Sequence, residues 1–127
     1  MRTLVLDTNF LLLPFQFKID IFRELDHVVA EPFRLIIPSG VVSELNGISK
    51  RVGKSGAAAR LALKLVEANK KIVEVVETDS PVDDWVFTYA KANKAIACTN
   101  DAGLKARLRA EKMKVIGLRS KTKLGYV

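Results

Sequence analysis

The sequence predicts a three-layer α/β/α sandwich around a central, mostly parallel sheet of four to five strands. Short apolar runs of strand type alternate with stretches of helical spacing along the whole chain, as βαβ units require. Several of these runs are apolar throughout, as befits strands covered on both faces. At 127 residues, 49% of them hydrophobic, the chain suits a single domain spanning 1–127 with one core.

Thr3–Leu6 reads as the first strand and ends at Asp7. Thr8 or Asn9 opens a short helix that Pro14 is expected to interrupt. Ile19, Phe22 and Leu25 then share one helix face. Leu35–Ile37 is a second buried strand, stopped by Pro38, and Ser39 is a good N-cap for a helix holding Val41, Val42, Leu45 and Ile48. Lys50–Lys54 is a basic, glycine-broken loop. Ser55 is placed to cap a long Ala- and Leu-rich helix over roughly 56–69. Ile72–Val76 forms a third strand, and Ser80-Pro81 starts a helix that runs to about Asn93. Ala95–Cys98 is a fourth strand, 102–111 a basic helix and Lys114–Gly117 a fifth strand. The tail 119–127 has weak local signals, and no repeat or low-complexity segment is present.

Composition excludes several classes. No apolar run approaches the ~18–20 residues of a membrane span, and Phe10–Pro14 is too short for a signal sequence. The lone Cys98 rules out an internal disulfide and fits a reducing cytoplasm. One His and one Cys cannot build a zinc site of the usual type. A metal held by this chain must therefore sit among oxygens, which favours Mg²⁺ or Mn²⁺.

The net charge of +7 is unevenly spread. Residues 50–71 carry seven Lys/Arg and one acid; residues 91–127 carry ten and two. Residues 72–90 carry five acids and no base. Basic blocks flanking an acidic centre suit a polyanion bound around a metal site; Lys-rich faces that keep the protein soluble are the plainer explanation.

Four acidic signatures stand out: Leu-Val-Leu-Asp-Thr-Asn (4–9), Val-Val-Ser-Glu-Leu (41–45), Ser-Pro-Val-Asp-Asp-Trp (80–85) and Cys-Thr-Asn-Asp (98–101). Ligands of parallel sheets bind at the carboxyl ends of strands, where strand order switches. Asp7 ends the first strand and Asp101 follows the fourth, so the two meet if those strands are neighbours. A carboxylate buried there is costly unless something cationic pairs with it.

These motifs resemble the PIN-domain family of metal-dependent ribonucleases over essentially the whole chain. Val-Leu-Asp-Thr-Asn matches the first motif with Asp7, Val-Val-Ser-Glu-Leu the second with Glu44, and Thr99-Asn100-Asp101 the fourth. Asp83, followed by Val86 and Ala90, fits the spacing of the third. The Asp83-Asp84 pair, the run 100–109 and Lys114-Val-Ile look closer to the small-subunit rRNA-processing endonucleases than to the VapC-type toxins. In many relatives a further acid follows two residues after the fourth-motif Asp; here that residue is Gly103.

The resemblance implies a PIN-like fold and an endoribonuclease. Asp7, Glu44, Asp83 and Asp101 would be catalytic and would hold one or two Mg²⁺ or Mn²⁺ ions, with Asp84 as a further ligand candidate. It implies water attack on the scissile phosphate and products with 5′-phosphate and 3′-hydroxyl ends. Asn9 and Thr99 would orient the acids through hydrogen bonds. Arg51, Lys54, Lys105, Arg107 and Arg109 would bind RNA, Lys105 and Arg109 sharing a helix face. RNA, foremost an rRNA precursor, is the expected partner, with no membrane; there is room for a homodimer and for ribosome-assembly proteins. A VapC-type toxin and a non-catalytic RNA-binding or assembly module are the alternatives.

Plainer roles stand beside these. Asp7 and Asp101 could simply be helix caps or strand-end turn residues, although Thr99 or Asn100 could do the capping and free Asp101. Ser80-x-x-Asp83 reads equally as a capping box, and Asp84 as dipole compensation. Glu44 could be an exposed helix charge. Trp85, Tyr89 and Tyr126 read as packing residues, His27 as a surface residue and Cys98 as a small buried hydrophobe.

Overall fold

The computed structural model describes residues 1–127 in full. In chain order the elements are β1 (Arg2–Leu6), α1 (Thr8–Phe17), α2 (Ile21–Val29), β2 (Phe33–Pro38), α3 (Ser39–Ser49), α4 (Lys54–Ala68), β3 (Val73–Val76), α5 (Val82–Asn93), β4 (Ile96–Cys98), α6 (Ala102–Ala110), β5 (Val115–Ser120) and β6 (Lys123–Tyr126). They build one six-stranded sheet in the order β3-β2-β1-β4-β5-β6. Every pairing is parallel except β5 with β6.

Chain direction explains the layering. From β1 the chain steps outward to β2 and β3, then returns through α5 to lay β4 on the other side of β1. Right-handed crossovers taken in opposite directions put their helices on opposite faces. Accordingly α1 contacts α2, α3 and α4, and α3 packs on α4, while α5 packs on β1, β2, β4 and α6. Leu4, Val5, Leu6, Leu35, Ile36 and Ile37 are buried on both faces of the sheet. Each such side chain contributes about 1.5–3 kcal/mol through burial. No helix is long and apolar enough to cross a membrane.

Local details depart from the sequence reading. Pro14 does not interrupt α1, which runs through it to Phe17. An interior proline costs about 3 kcal/mol, but continuing the helix past it packs Phe15 and Phe17 against the core, and apolar burial of that kind offsets the cost. Ser39 and Ser55 do not cap: α3 starts at Ser39 after Pro38, α4 starts at Lys54 after Gly53, and neither helix has a side-chain cap. Gly53 lies at φ 87°, a turn that a side chain would disfavour. Ser80 does not cap α5 either, so the capping box with Asp83 does not form.

The tail adds the sixth strand. Residues 115–126 make a hairpin whose β6 buries Leu124, and the Leu124 N–H donates to Glu24 Oε1 of α2 at 3.2 Å.

Candidate active site

The switch in strand order falls between β1 and β4, and their register sets the site. Leu6 pairs with Cys98, so the next residues, Asp7 and Thr99, leave the sheet side by side. The Asp7 N–H donates to the Cys98 carbonyl at 3.3 Å. The Thr99 hydroxyl donates to Asp7 Oδ2, and its oxygen accepts from the Asp101 N–H at 3.0 Å. Asn9 Oδ1 accepts from the Asn100 N–H at 3.1 Å, tying the turn after β1 to the turn after β4.

Asp7 is only 2% exposed. Its Oδ1 accepts from the Phe10 N–H at 3.0 Å, so it caps α1 as well as facing the crevice. Burial raises its pKa to about 7, against the lowering effect of the bonds from Thr99 and Phe10; Asp83 and Asp101 push it further up. Asp101 caps α6 itself, with Oδ2 accepting from the Leu104 N–H at 2.7 Å. Neither Thr99 nor Asn100 relieves it of that role, because the chain turns into the helix only after Asp101.

Glu44 and Asp83 come from α3 and α5. A clasp between the start of α3 and the loop before α5 aligns the two helices. Ser39 Oγ accepts from the Thr78 N–H at 2.9 Å, Thr78 Oγ1 accepts from the Gly40 N–H at 3.1 Å, and the two hydroxyls lie 3.1 Å apart. A Cβ on Gly40 would come within 3.0 Å of Val82 Cγ2, which shows how closely α3 approaches α5 here. Glu44 is exposed, and its Oε2 accepts from the Thr8 hydroxyl at 2.6 Å. Asp83 has its pKa raised by partial burial and then by Asp101, Glu44 and Asp84, with Arg107 opposing. Mutual repulsion shows that acids from four separate segments share one electrostatic environment.

Asp7, Glu44 and Asp83 line one crevice of ≈ 220 Å³ together with Thr8, Asn9, Leu12 and Val82. Asp101 lies close enough to raise both Asp7 and Asp83. Asp84 instead accepts from Arg107 Nη1 at 2.9 Å. Arg107 also lies over the Phe87 ring, 4.5 Å from its centroid, so α6 and α5 already engage this cation. Arg51 and Lys54 flank a separate pocket that Leu12 shares with the acidic crevice. Lys105 is half-buried and Arg109 exposed on α6. Trp85 stacks on Tyr89 at 4.9 Å, both packed against the core, and His27 is exposed.

Sequence reasoning missed Thr8 and the Ser39–Thr78 clasp. Thr8 stands beside a motif acid and so carried a signal. Thr78 is 39 residues from Ser39 and carried none.

The acids fit a hard divalent cation by their chemistry. The donors are all oxygen, and two of them are pushed toward protonation by burial and by one another, a strain that a cation relieves. No three acidic, His or Cys side chains stand close enough to form a closed metal cage. An ion such as Mg²⁺ needs only one or two carboxylates besides water and substrate phosphate.

Residues 4–121 match the model of the PIN-like domain family. The chain belongs to the PIN family. It is 34% identical over 125 residues to ribonuclease VapC4 of Methanocaldococcus jannaschii, covering 95% of this chain and 93% of that one. It is 35% identical over 109 residues to ribonuclease VapC9 of Archaeoglobus fulgidus, covering 85% and 76%. Among solved structures, the PIN-domain endonuclease Utp24 superposes with a TM-score of 0.79 at 24% identity, over 98% of this chain and 90% of that one. VapBC2 from Rickettsia felis, solved with a promoter DNA fragment, matches with a TM-score of 0.57 at 14% identity, over 98% and 99%. The fold places Asp7 and Asp101 just beyond the ends of the adjacent central strands β1 and β4, and Glu44 and Asp83 on α3 and α5.

Proposed function

We propose that this PIN domain is a metal-dependent endoribonuclease and that Asp7, Glu44, Asp83 and Asp101 are its acids. The observation that carries the reading is the buried Asp7 at the switch point, lining one crevice with Glu44 and Asp83 and with Asp101 nearby. The two relatives named as ribonucleases support it. These acids would hold one or two Mg²⁺ or Mn²⁺ ions, which when bound supply charge neutralisation at the phosphate and an activated water. Thr99 holds Asp7 in place, Thr8 holds Glu44, and the cap bond from Leu104 fixes the Asp101 carboxylate. Arg51 and Lys54 would attract the RNA backbone beside the crevice.

The biological substrate favoured here is an rRNA precursor. The Asp83-Asp84 pair, the run 100–109 and Lys114-Val-Ile, which resemble the rRNA-processing branch, support it. A second reading, a VapC-type toxin, rests on the 34% and 35% identities to proteins named VapC. Incubating the protein with precursor rRNA and with tRNA in Mn²⁺, and mapping the new ends, separates the two. Cleavage should leave 5′-phosphates, disappear in EDTA and disappear in Asp7→Asn, while that variant still binds RNA. Undiminished cleavage by Asp7→Asn would sink the assignment of the acids. No cleavage of any RNA by the wild-type protein in Mn²⁺ or Mg²⁺ would favour a non-catalytic RNA-binding role.

A further inference from the structure

Beside the acidic crevice, α1, α3 and α4 enclose a pocket of ≈ 490 Å³, within the range of small-ligand sites. Leu12, Phe15 and Ile48 form its apolar wall, and Arg51 and Lys54 stand at its edge. None of the residues lining it is acidic. Neither Arg51 nor Lys54 belongs to an ion pair of this structure. Leu12 lines this pocket and the acidic crevice alike, so the two are neighbours across one side chain.

The loop that carries Arg51 is held in place. Arg60 Nη1 donates to the Ser49 carbonyl at 2.7 Å. The Arg51 carbonyl lies where a Cβ on Gly56 would come within 1.8 Å, so only glycine lets α4 approach the loop this closely. The cation thus stands on fixed backbone beside an apolar wall that includes an aromatic ring.

We propose that this pocket takes the base of an unpaired nucleotide next to the scissile phosphate, with Arg51 and Lys54 holding its backbone phosphates. The inference rests on the endoribonuclease reading and adds a cause for single-strand preference, because a paired base cannot enter a side pocket. An aromatic wall accepts any base face, whereas a pocket of this composition without its cations would suit an apolar peptide instead.

Binding in EDTA tests this apart from catalysis. The probes are a fluorescein-labelled single-stranded U12 RNA and an abasic strand of the same length, read by anisotropy. The wild-type protein should prefer U12 by about tenfold. Phe15→Ala should erase that preference and leave the abasic strand's affinity unchanged. Arg51→Ala combined with Lys54→Ala should weaken both probes and flatten the slope of log affinity against log salt by about 1.4. Because Phe15 is half-buried, crosslinking of a 4-thiouridine U12 to the unmutated chain provides a second readout, with adducts expected on α1 or α3. Equal affinity for the two probes, equal weakening of both by Phe15→Ala, or adducts confined to other elements would each overturn the proposal. U12 binding that ignores Phe15→Ala would do so as well and would point to a partner peptide as the occupant. Failure of the Mn²⁺ cleavage assay would leave these binding results unaffected.

Discussion

Asp7 combines two roles that the sequence presented as rivals. It caps α1 and also lines the crevice, because Phe10 engages one carboxylate oxygen and Thr99 the other, and each oxygen keeps a further acceptor site. Its raised pKa sets a sign for stability. The native state holds a proton that the unfolded chain releases above about pH 4, so the favourable contribution is present at low pH and is lost as pH rises toward 7. Urea melts in EDTA should therefore show lower stability at pH 8 than at pH 5, with a flatter dependence for Asp7→Asn. By the same linkage, Mn²⁺ should bind more tightly as pH rises through 7 and release protons into weakly buffered solution. Thr99 is fully buried, and its hydroxyl serves Asp7 and the Asp101 N–H together. Thr99→Val should cost about 1–3 kcal/mol in denaturant melts and lower the rate of cleavage at saturating RNA, whereas Thr99→Ser should restore much of both. These side chains were legible because their motifs are contiguous; the hydrogen bonds that bind them to each other were not.

The site is assembled at the level of elements by helices that do not cap themselves. Neither α3 nor α5 has a side-chain cap, and the Ser39–Thr78 clasp joins their starts instead. Breaking it with Thr78→Val should cost about 1 kcal/mol or somewhat more and reduce cleavage by letting Glu44 drift from Asp83; unchanged cleavage would show that the clasp only stabilises. Asp83 and Asp84 also part company at this scale. The rotation of about 100° between successive helix residues directs Asp83 to the crevice and Asp84 to Arg107, a division that adjacent identical residues could not announce in sequence. Gly117 of β5 has a similar hidden role, since a Cβ there would meet the Thr99 carbonyl at 2.7 Å. Gly117→Ala should shift β5 away from Thr99 and lower the melting temperature.

Across the whole molecule, a net charge of +7 surrounds an acidic crevice. RNA binding by such a surface should weaken steeply from 50 to 200 mM salt, as measured by filter binding in EDTA. The alternating pattern was enough to read the parallel sheet and its two helix layers, because each strand's apolar run and each helix's spacing are local properties. The hairpin strand β6 escaped notice, since Lys121 and Lys123 bracket its turn and Leu124 finds its place only against β5 and α2. Pro14 misled for the same reason: a local rule lost to burial that becomes available only once the core closes. The acids and their order along the chain were thus determined by the sequence alone. Tertiary structure decided which acids share the crevice, which one is diverted to an arginine, and where the neighbouring pocket opens. Those outcomes depend on strand register and helix approach, and both are set by contacts between residues far apart in the chain.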